Sequence, residues 1–164
     1  MNVLVLADTH LGPGQGGRLV ELLGGQLARA DAILHAGDIT DASVLGDLAA
    51  FAPVHAVLGN NDHGVALPER RTVELGGCVV AMVHDSGQAG GRAPRLRRWF
   101  PDADVVVFGH SHLPWNEVDT RSDGHVQHHL NPGSATQRRR APRCTIAWLE
   151  LDAGQVRDVR IEGC

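Results

Sequence analysis

Five apolar runs in this chain each end in residues that can bind a metal ion. Asn2–Ala7 leads into Asp8-Thr9-His10, and Ala32–Ala36 into Gly37-Asp38. Val54–Leu58 leads into Gly59-Asn60-Asn61-Asp62, Val79–Val83 into His84-Asp85, and Asp104–Phe108 into Gly109-His110-Ser111-His112. The candidate ligands are two anionic oxygens (Asp8, Asp38), one neutral carbonyl oxygen (Asn60) and four imidazoles (His10, His84, His110, His112). A mixed nitrogen–oxygen set without thiolate suits manganese, iron, zinc, cobalt or nickel rather than a structural zinc. Seven ligands exceed the needs of one tetrahedral ion. They fit two ions that share a carboxylate, about 3.5–4 Å apart as in two-metal hydrolases.

Charge then selects a substrate class. Two divalent ions against two aspartates leave an excess of about two positive charges. Water between such ions is acidified towards neutrality, and both ions stabilise charge developing on a phosphoryl oxygen. The expected chemistry is hydrolysis of a phosphate ester, with in-line attack by a hydroxide bound between the two divalent metals.

The elements must bring five strand ends together. Strands buried on both faces read as continuous apolar runs, and open α/β sheets bind ligands beyond the carboxyl ends of such strands. Between the early strands, Leu19, Leu22, Leu23 and Leu27 form a helix-spaced face that Gly24-Gly25 weakens. Thr40 or Asp41 can cap a second helix bearing Val44, Leu45, Leu48 and Ala49. A third is expected from about Pro94, with Leu96, Trp99 and Phe100 as its stripe and Pro101 closing it. From Glu74 onward strands are denser, near 73–75, 78–84, 104–108, 114–118, 125–130, 144–151 and 155–161, with hairpin signals at Gly76-Gly77 and Asp123-Gly124. Parallel strands first and antiparallel ones later predict an α/β fold, a four-layer αββα sandwich of two mixed sheets flanked by helices. One domain spans residues 1–164, with the dinuclear site at the C-terminal strand ends.

Composition narrows the function classes. A net charge of −4 argues against a generic nucleic-acid coat or a polybasic membrane binder. All fifteen basic residues are arginine, which excludes a lysine nucleophile or Schiff base. Cys78, Cys144 and Cys164 are too widely spaced for a disulfide framework or a cysteine zinc site, and Cys78 and Cys144 read as buried inert thiols. Met1 leads directly into a strand, without a leader pattern or a membrane-length apolar run, so the expectation is a cytoplasmic protein with no membrane role.

Other residues carry weaker signals. His35 and His55 lie inside apolar strands and read as satisfied core histidines, whereas His125, His128 and His129 read as surface or edge residues. Asn131-Pro132-Gly133-Ser134 reads as a tight turn. Asp62 is expected to orient ligands rather than bind, and Asp85 to orient a ligand or line the pocket. Arg92, Arg95, Arg97 and Arg98 read as a solvated helix face, and Arg138, Arg139, Arg140 and Arg143 as a solvated loop. The sharper alternative has Arg139 and Arg140 gripping a substrate phosphate through bidentate contacts.

In their order, Asp-Thr-His, Gly-Asp, Gly-Asn-Asn-Asp, His and Gly-His-Ser-His resemble the calcineurin-like metallophosphoesterase superfamily. The short chain and the Asn131–Ser134 segment resemble its small YfcE-like bacterial and archaeal phosphodiesterases. The resemblance implies a β-sandwich flanked by helices and a phosphodiesterase more than a monoesterase. It also implies one metal on Asp8, His10, Asp38 and His112 and a second on Asp38, Asn60, His84 and His110, with Asp38 as the bridge. Two divalent ions are expected, manganese first, with iron, nickel, cobalt or zinc as alternatives. Many relatives carry His directly after the metal-binding Asn and protonate the leaving group with it; here Asn61 stands there. Asn61 can donate a hydrogen bond to a phosphate but cannot deliver a proton, which leaves His63 as the candidate donor or an acidic leaving group that needs none. Asp85 stands where relatives often have glycine.

The expected partner is a small phosphate-ester substrate. Nucleic acid enters only as such a substrate, and a homo-oligomer is compatible with the sequence. Two rival readings differ in class. A phosphoesterase-fold interaction scaffold, like the retromer subunit, typically loses ligands, and none is missing here. An amide or lactam metallohydrolase would open with His-x-His rather than Asp-x-His.

Overall fold

The computed structural model describes residues 1–164. In chain order the strands are β1 (Asn2–Leu6), β2 (Ala32–His35), β3 (Val54–Ala56), β4 (Arg70–Leu75), β5 (Cys78–Val83), β6 (Val105–Val107), β7 (Trp115–Thr120), β8 (Val126–Asn131), β9 (Thr145–Asp152) and β10 (Gln155–Gly163). Three helices accompany them, α1 (Gly16–Leu27), α2 (Ser43–Ala49) and α3 (Arg92–Trp99). The strands form two five-stranded sheets, ordered β10-β9-β1-β2-β3 and β4-β5-β6-β8-β7. β1, β2 and β3 run parallel in the first, and β5, β6 and β8 run parallel in the second.

The continuous apolar runs are explained by burial on both faces. In β1, Val3 and Val5 point between the sheets, where 17 buried residues form the central core. Leu4 and Leu6 point the other way, onto Leu19, Leu23 and Leu27 of α1 and Val44 and Leu48 of α2. β6 repeats the arrangement: Val105 and Val107 face the central core, while Val106 packs outward against Leu96 and Phe100 at α3. Each two-residue period thus serves two apolar layers, and the layers stack helix, sheet, sheet, helix. No helix is long and apolar enough to cross a membrane.

Local details depart from expectation. Gly24-Gly25 does not interrupt α1, because Leu19, Leu23 and Leu27 are anchored on either side of it. Of the two expected caps of α2, Asp41 serves and Thr40 does not. The Thr40 hydroxyl donates to the Leu11 and Ile39 carbonyls, and the Asp41 carboxylate accepts from the N–H of Ser43, the first residue of the helix. α3 begins at Arg92, after Gly91 in a left-handed conformation.

Of the four α3 arginines only Arg98 is exposed and solvated; the other three are engaged. Arg92 lies over the Phe108 and Trp115 rings, Arg95 donates to the Ser86 and Gln88 carbonyls, and Arg97 pairs with Asp119 on β7. His129 is fully buried and hydrogen-bonded to the Gln127 side chain, since β7 rather than β8 is the sheet edge. His35 is buried but only half satisfied: Nε2 meets Thr9 Oγ1 at 3.0 Å, while Nδ1 has no partner. Burial pushes its pKa down to about 4. His55 also has an unpartnered Nδ1. Cys78 is buried, but Cys144 is half-buried.

Candidate metal centre

Because β1, β2 and β3 run parallel in one sheet and β5 and β6 in the other, their carboxyl ends meet on one rim of the sandwich. All seven predicted ligands lie there. Five of them, Asp8, His10, Asp38, His110 and His112, have positive φ, between 44° and 70°. Non-glycine residues rarely adopt this backbone, and it gathers at functional sites. It turns the chain sharply at each strand end, so that side chains aim into the rim instead of along the sheet. Close approach does the rest. A Cβ on Gly109 would come within 2.9 Å of Ala7 Cβ, and one on Gly59 would overlap the Asp38 backbone. Only glycine lets these loops pack at that distance.

Two groups of acceptor atoms result, Asp8 with His10 and His112, and Asp8 with Asp38 and His84. His10 Nε2 and His112 Nε2 stand 3.1 Å apart. Asp38 spans the site: its Oδ2 lies 3.5 Å from His10 Nε2 and its Oδ1 3.4 Å from His84 Nε2. Asn60 Oδ1 lies 3.0 Å from His84 Nε2 and 2.9 Å from His110 Nδ1.

Main-chain carbonyls fix two tautomers. His84 Nδ1–H donates to Ala36 O at 2.7 Å, and His112 Nδ1–H to Gln137 O at 2.7 Å. A carbonyl can only accept, so in the neutral rings Nε2 carries the lone pair, and both Nε2 atoms face the site. Asp62 stitches the loops together, accepting from Asp38 N at 3.0 Å, Gly59 N at 2.7 Å and Thr40 N at 2.6 Å. Ser134 Oγ donates to Asp8 O and Thr136 Oγ1 to Thr9 O, while Asn131 Nδ2 donates to Gly109 O. The segment 131–136 is therefore a brace behind two loops that carry candidate ligands, those after β1 and β6.

The electrostatics fit a cation. Asp8 is fully buried with an unpartnered Oδ2, and burial raises its pKa to about 7, outweighing the nearby His84. Burial would raise Asp38 too, but hydrogen bonds from His84 and from the Asn61 N–H and amide hold it below the usual carboxylate range. Burial lowers His10 and His112 and favours their neutral, ligating forms. His84 is raised despite its burial, by Asp38 and the Ala36 carbonyl. Lone pairs from nitrogens and oxygens thus face one another around an orphaned carboxylate oxygen, a donor set that divalent ions satisfy.

The remaining predicted residues divide. The Asn61 amide is turned onto Asp38 Oδ2 at 2.7 Å. His63 and Asp85 line a cavity beside Asn60 and His84, and Asp85 accepts from Gly87 N. Arg139 is exposed and has positive φ, and its charge lowers the pKa values of Asp8, His10 and His112, whereas Arg140 has no such influence. Sequence reasoning missed the Ala36 and Gln137 carbonyls, since any residue type supplies a carbonyl. It also missed Thr136, whose hydroxyl was the one available signal.

A sequence profile described as the calcineurin-like phosphoesterase superfamily domain matches residues 1–154. A probable metallophosphoesterase of Methanothermobacter thermautotrophicus is 33% identical over 168 residues, covering 98% of this chain and 91% of that protein. An archaeal protein described as a novel phosphodiesterase superimposes with a TM-score of 0.71 at 18% identity, covering 100% of both chains. Vps29 of Entamoeba histolytica, solved with zinc, superimposes with a TM-score of 0.70 at 22% identity over 100% of this chain and 98% of that one. At such identities the two structures speak for the fold alone.

Proposed function

Because this chain belongs to the calcineurin-like phosphoesterase superfamily and is a metal-dependent phosphoesterase, we propose that it hydrolyses phosphodiesters at a centre of two divalent ions, manganese first. The observation that carries the reading is Asp38, whose two oxygens are divided between His10 on one side and His84 on the other. Asp8, His10, Asp38 and His112 would hold one ion, and Asp38, Asn60, His84 and His110 the other; Asp8 also adjoins the second group. When bound, such ions supply Lewis acidity and an acidified bridging hydroxide for in-line attack on phosphorus.

The chain's own groups have separate tasks. The Ala36 and Gln137 carbonyls hold His84 and His112 with Nε2 inward, and Asp62 holds the loops that carry Asp38 and Asn60. The Arg139 guanidinium attracts the substrate phosphate, and Asn61 fixes the orientation of Asp38. His63, which lines the same cavity as Asn60 and His84, would protonate the departing alcohol. An interaction scaffold on the same fold would be expected to have shed ligands, and all seven are present.

Metal reconstitution of the stripped protein tests this. Bis(p-nitrophenyl) phosphate and p-nitrophenyl phosphate are compared beside an Asp38→Asn variant. The expected result is metal-dependent turnover that favours the diester and collapses in the variant. No turnover with any of the five candidate metals, or undiminished turnover in the variant, refutes it.

A further inference from the structure

A cavity of about 480 Å³, lined on one side by Asn60 and His84, lies between the loop after β3 and the ends of β4 and β5. His63, Glu69, Arg70 and Asp85 also line it. Asp85 is engaged with Gly87 N. The side chains of His63, Glu69 and Arg70 have no hydrogen bond or ion pair within the chain. Among the arginines, Arg97, Arg121, Arg157 and Arg160 each pair with an aspartate, whereas Arg70 keeps its donors unpaired.

Arg70 is nevertheless held. Its guanidinium lies over the Trp99 ring, 4.3 Å from the centroid, with Phe100 at 5.8 Å. Stacking of this kind fixes the plane of the fork and consumes none of its N–H donors. Glu69 adjoins Arg70 in sequence and lines the same cavity, yet the two do not pair. The wall therefore presents an open carboxylate, an open planar donor fork and an imidazole.

These groups discriminate among alcohols. A nucleobase wants an aromatic face to stack on, and no Phe or Trp lines the cavity. An acyl chain wants apolar walls, and only Leu58 and Val83 are apolar here. A second anion would meet two carboxylates, Glu69 and Asp85, against one guanidinium. Vicinal hydroxyls match what remains: a carboxylate accepts from both O–H groups, and the guanidinium donates to their oxygens.

We propose that this cavity receives one alcohol of the diester and selects alcohols with vicinal hydroxyls, a subsite that rests on the phosphodiesterase reading above. Such hydroxyls can come from a glycerol-like polyol or from a ribose. The test uses the metal-loaded full chain and p-nitrophenyl phosphodiesters sharing one aryl reporter. In the first pair the second alcohol is glycerol or propanol; in the other it is adenosine or 2′-deoxyadenosine, both linked through the 5′ oxygen.

The expected result is a kcat/KM about tenfold higher for the diol member of at least one pair. That ratio should fall towards one in Glu69→Gln and in Arg70→Met, and persist in Arg121→Ala, whose partner Asp123 lies in the distant β7–β8 turn. Preference confined to the first pair identifies a polyol, and preference confined to the second a ribose. Ratios near one in both pairs, or ratios that neither cavity variant moves, overturn the subsite while aryl turnover leaves the phosphodiesterase reading standing. Failure to turn over any of these diesters or bis(p-nitrophenyl) phosphate overturns that reading and the subsite with it.

Discussion

Asp62 is predicted to hold the candidate metal site together, although it binds no metal itself. It is buried at 7% exposure, and its carboxylate accepts from three backbone N–H groups at 2.6 to 3.0 Å. Hydrogen bonds to a charged acceptor contribute about 1.5–3 kcal/mol each, and a buried donor left unmatched costs about 1–3 kcal/mol. Water can reach Thr40 N, which is half-buried, but Asp38 N and Gly59 N are enclosed. Asp62→Ala should therefore destabilise the protein by about 3–5 kcal/mol, or about 6–20 °C in Tm for a chain of this size.

The same substitution frees the loops carrying Asp38 and Asn60, so metal affinity should fall about 10- to 100-fold, as it does when groups that support ligands are lost. Urea unfolding followed by circular dichroism, with and without a chelator, measures the first effect, and calorimetric titration with Mn²⁺ the second. Asp62→Asn, which keeps an acceptor oxygen but loses the charge, should recover part of both. A loss below about 1 kcal/mol with unchanged affinity would show that the three hydrogen bonds do not hold the loops.

Three further outcomes are expected. Divalent metal at a hundredfold excess over Kd should stabilise the stripped wild type by about 2.7 kcal/mol and fail to do so for Asp38→Asn, read as a Tm shift upon chelation. His35 titrates near 4 when folded and near 6.5 when unfolded, so the unfolded state takes up a proton first and stability is lost as pH falls from about 6.5 to about 4. His35→Gln should remove about 3 kcal/mol of that slope, and urea midpoints with the same acid dependence in both proteins would refute it. Arg139→Ala should raise KM for aryl phosphates about tenfold, while Arg140→Ala leaves it near wild type, checked by steady-state kinetics.

Legibility followed the physics. The paired apolar layers on β1 and β6 wrote themselves into Val3–Leu6 and Val105–Phe108 as unbroken hydrophobic runs, so the sandwich and its active rim could be read directly. The candidate ligands stood out because a carboxylate or imidazole at the end of such a run is costly unless something satisfies it. His129 was misread because strand alternation gives two faces without saying which strand is the edge, and that depends on β7 pairing outside β8. Arg92, Arg95 and Arg97 of α3 were misread for a related reason. Their partners, Asp119, Trp115 and the 86–88 carbonyls, are distant in sequence and become neighbours only through the sheet order.

The supporting groups were harder to see, and backbone strain shows why they matter. A left-handed conformation at a residue other than glycine costs about 1–2 kcal/mol, less for Asp and His, and five candidate ligands adopt it here. Their sum, on the order of 5 kcal/mol, is comparable with the whole net stability of a domain. Such a backbone persists only where surrounding bonds over-determine it. Asp8 is pinned on both sides, its N–H on Gly37 O and its carbonyl by Ser134 Oγ, while His10 N donates to Asp38 O and His110 N to Asp8 Oδ1. The ligands are thus bonded to one another's loops as firmly as to the sheets. Loss of one brace should therefore loosen ligands on several strands at once, which ties the thermal stability of this protein to its metal affinity.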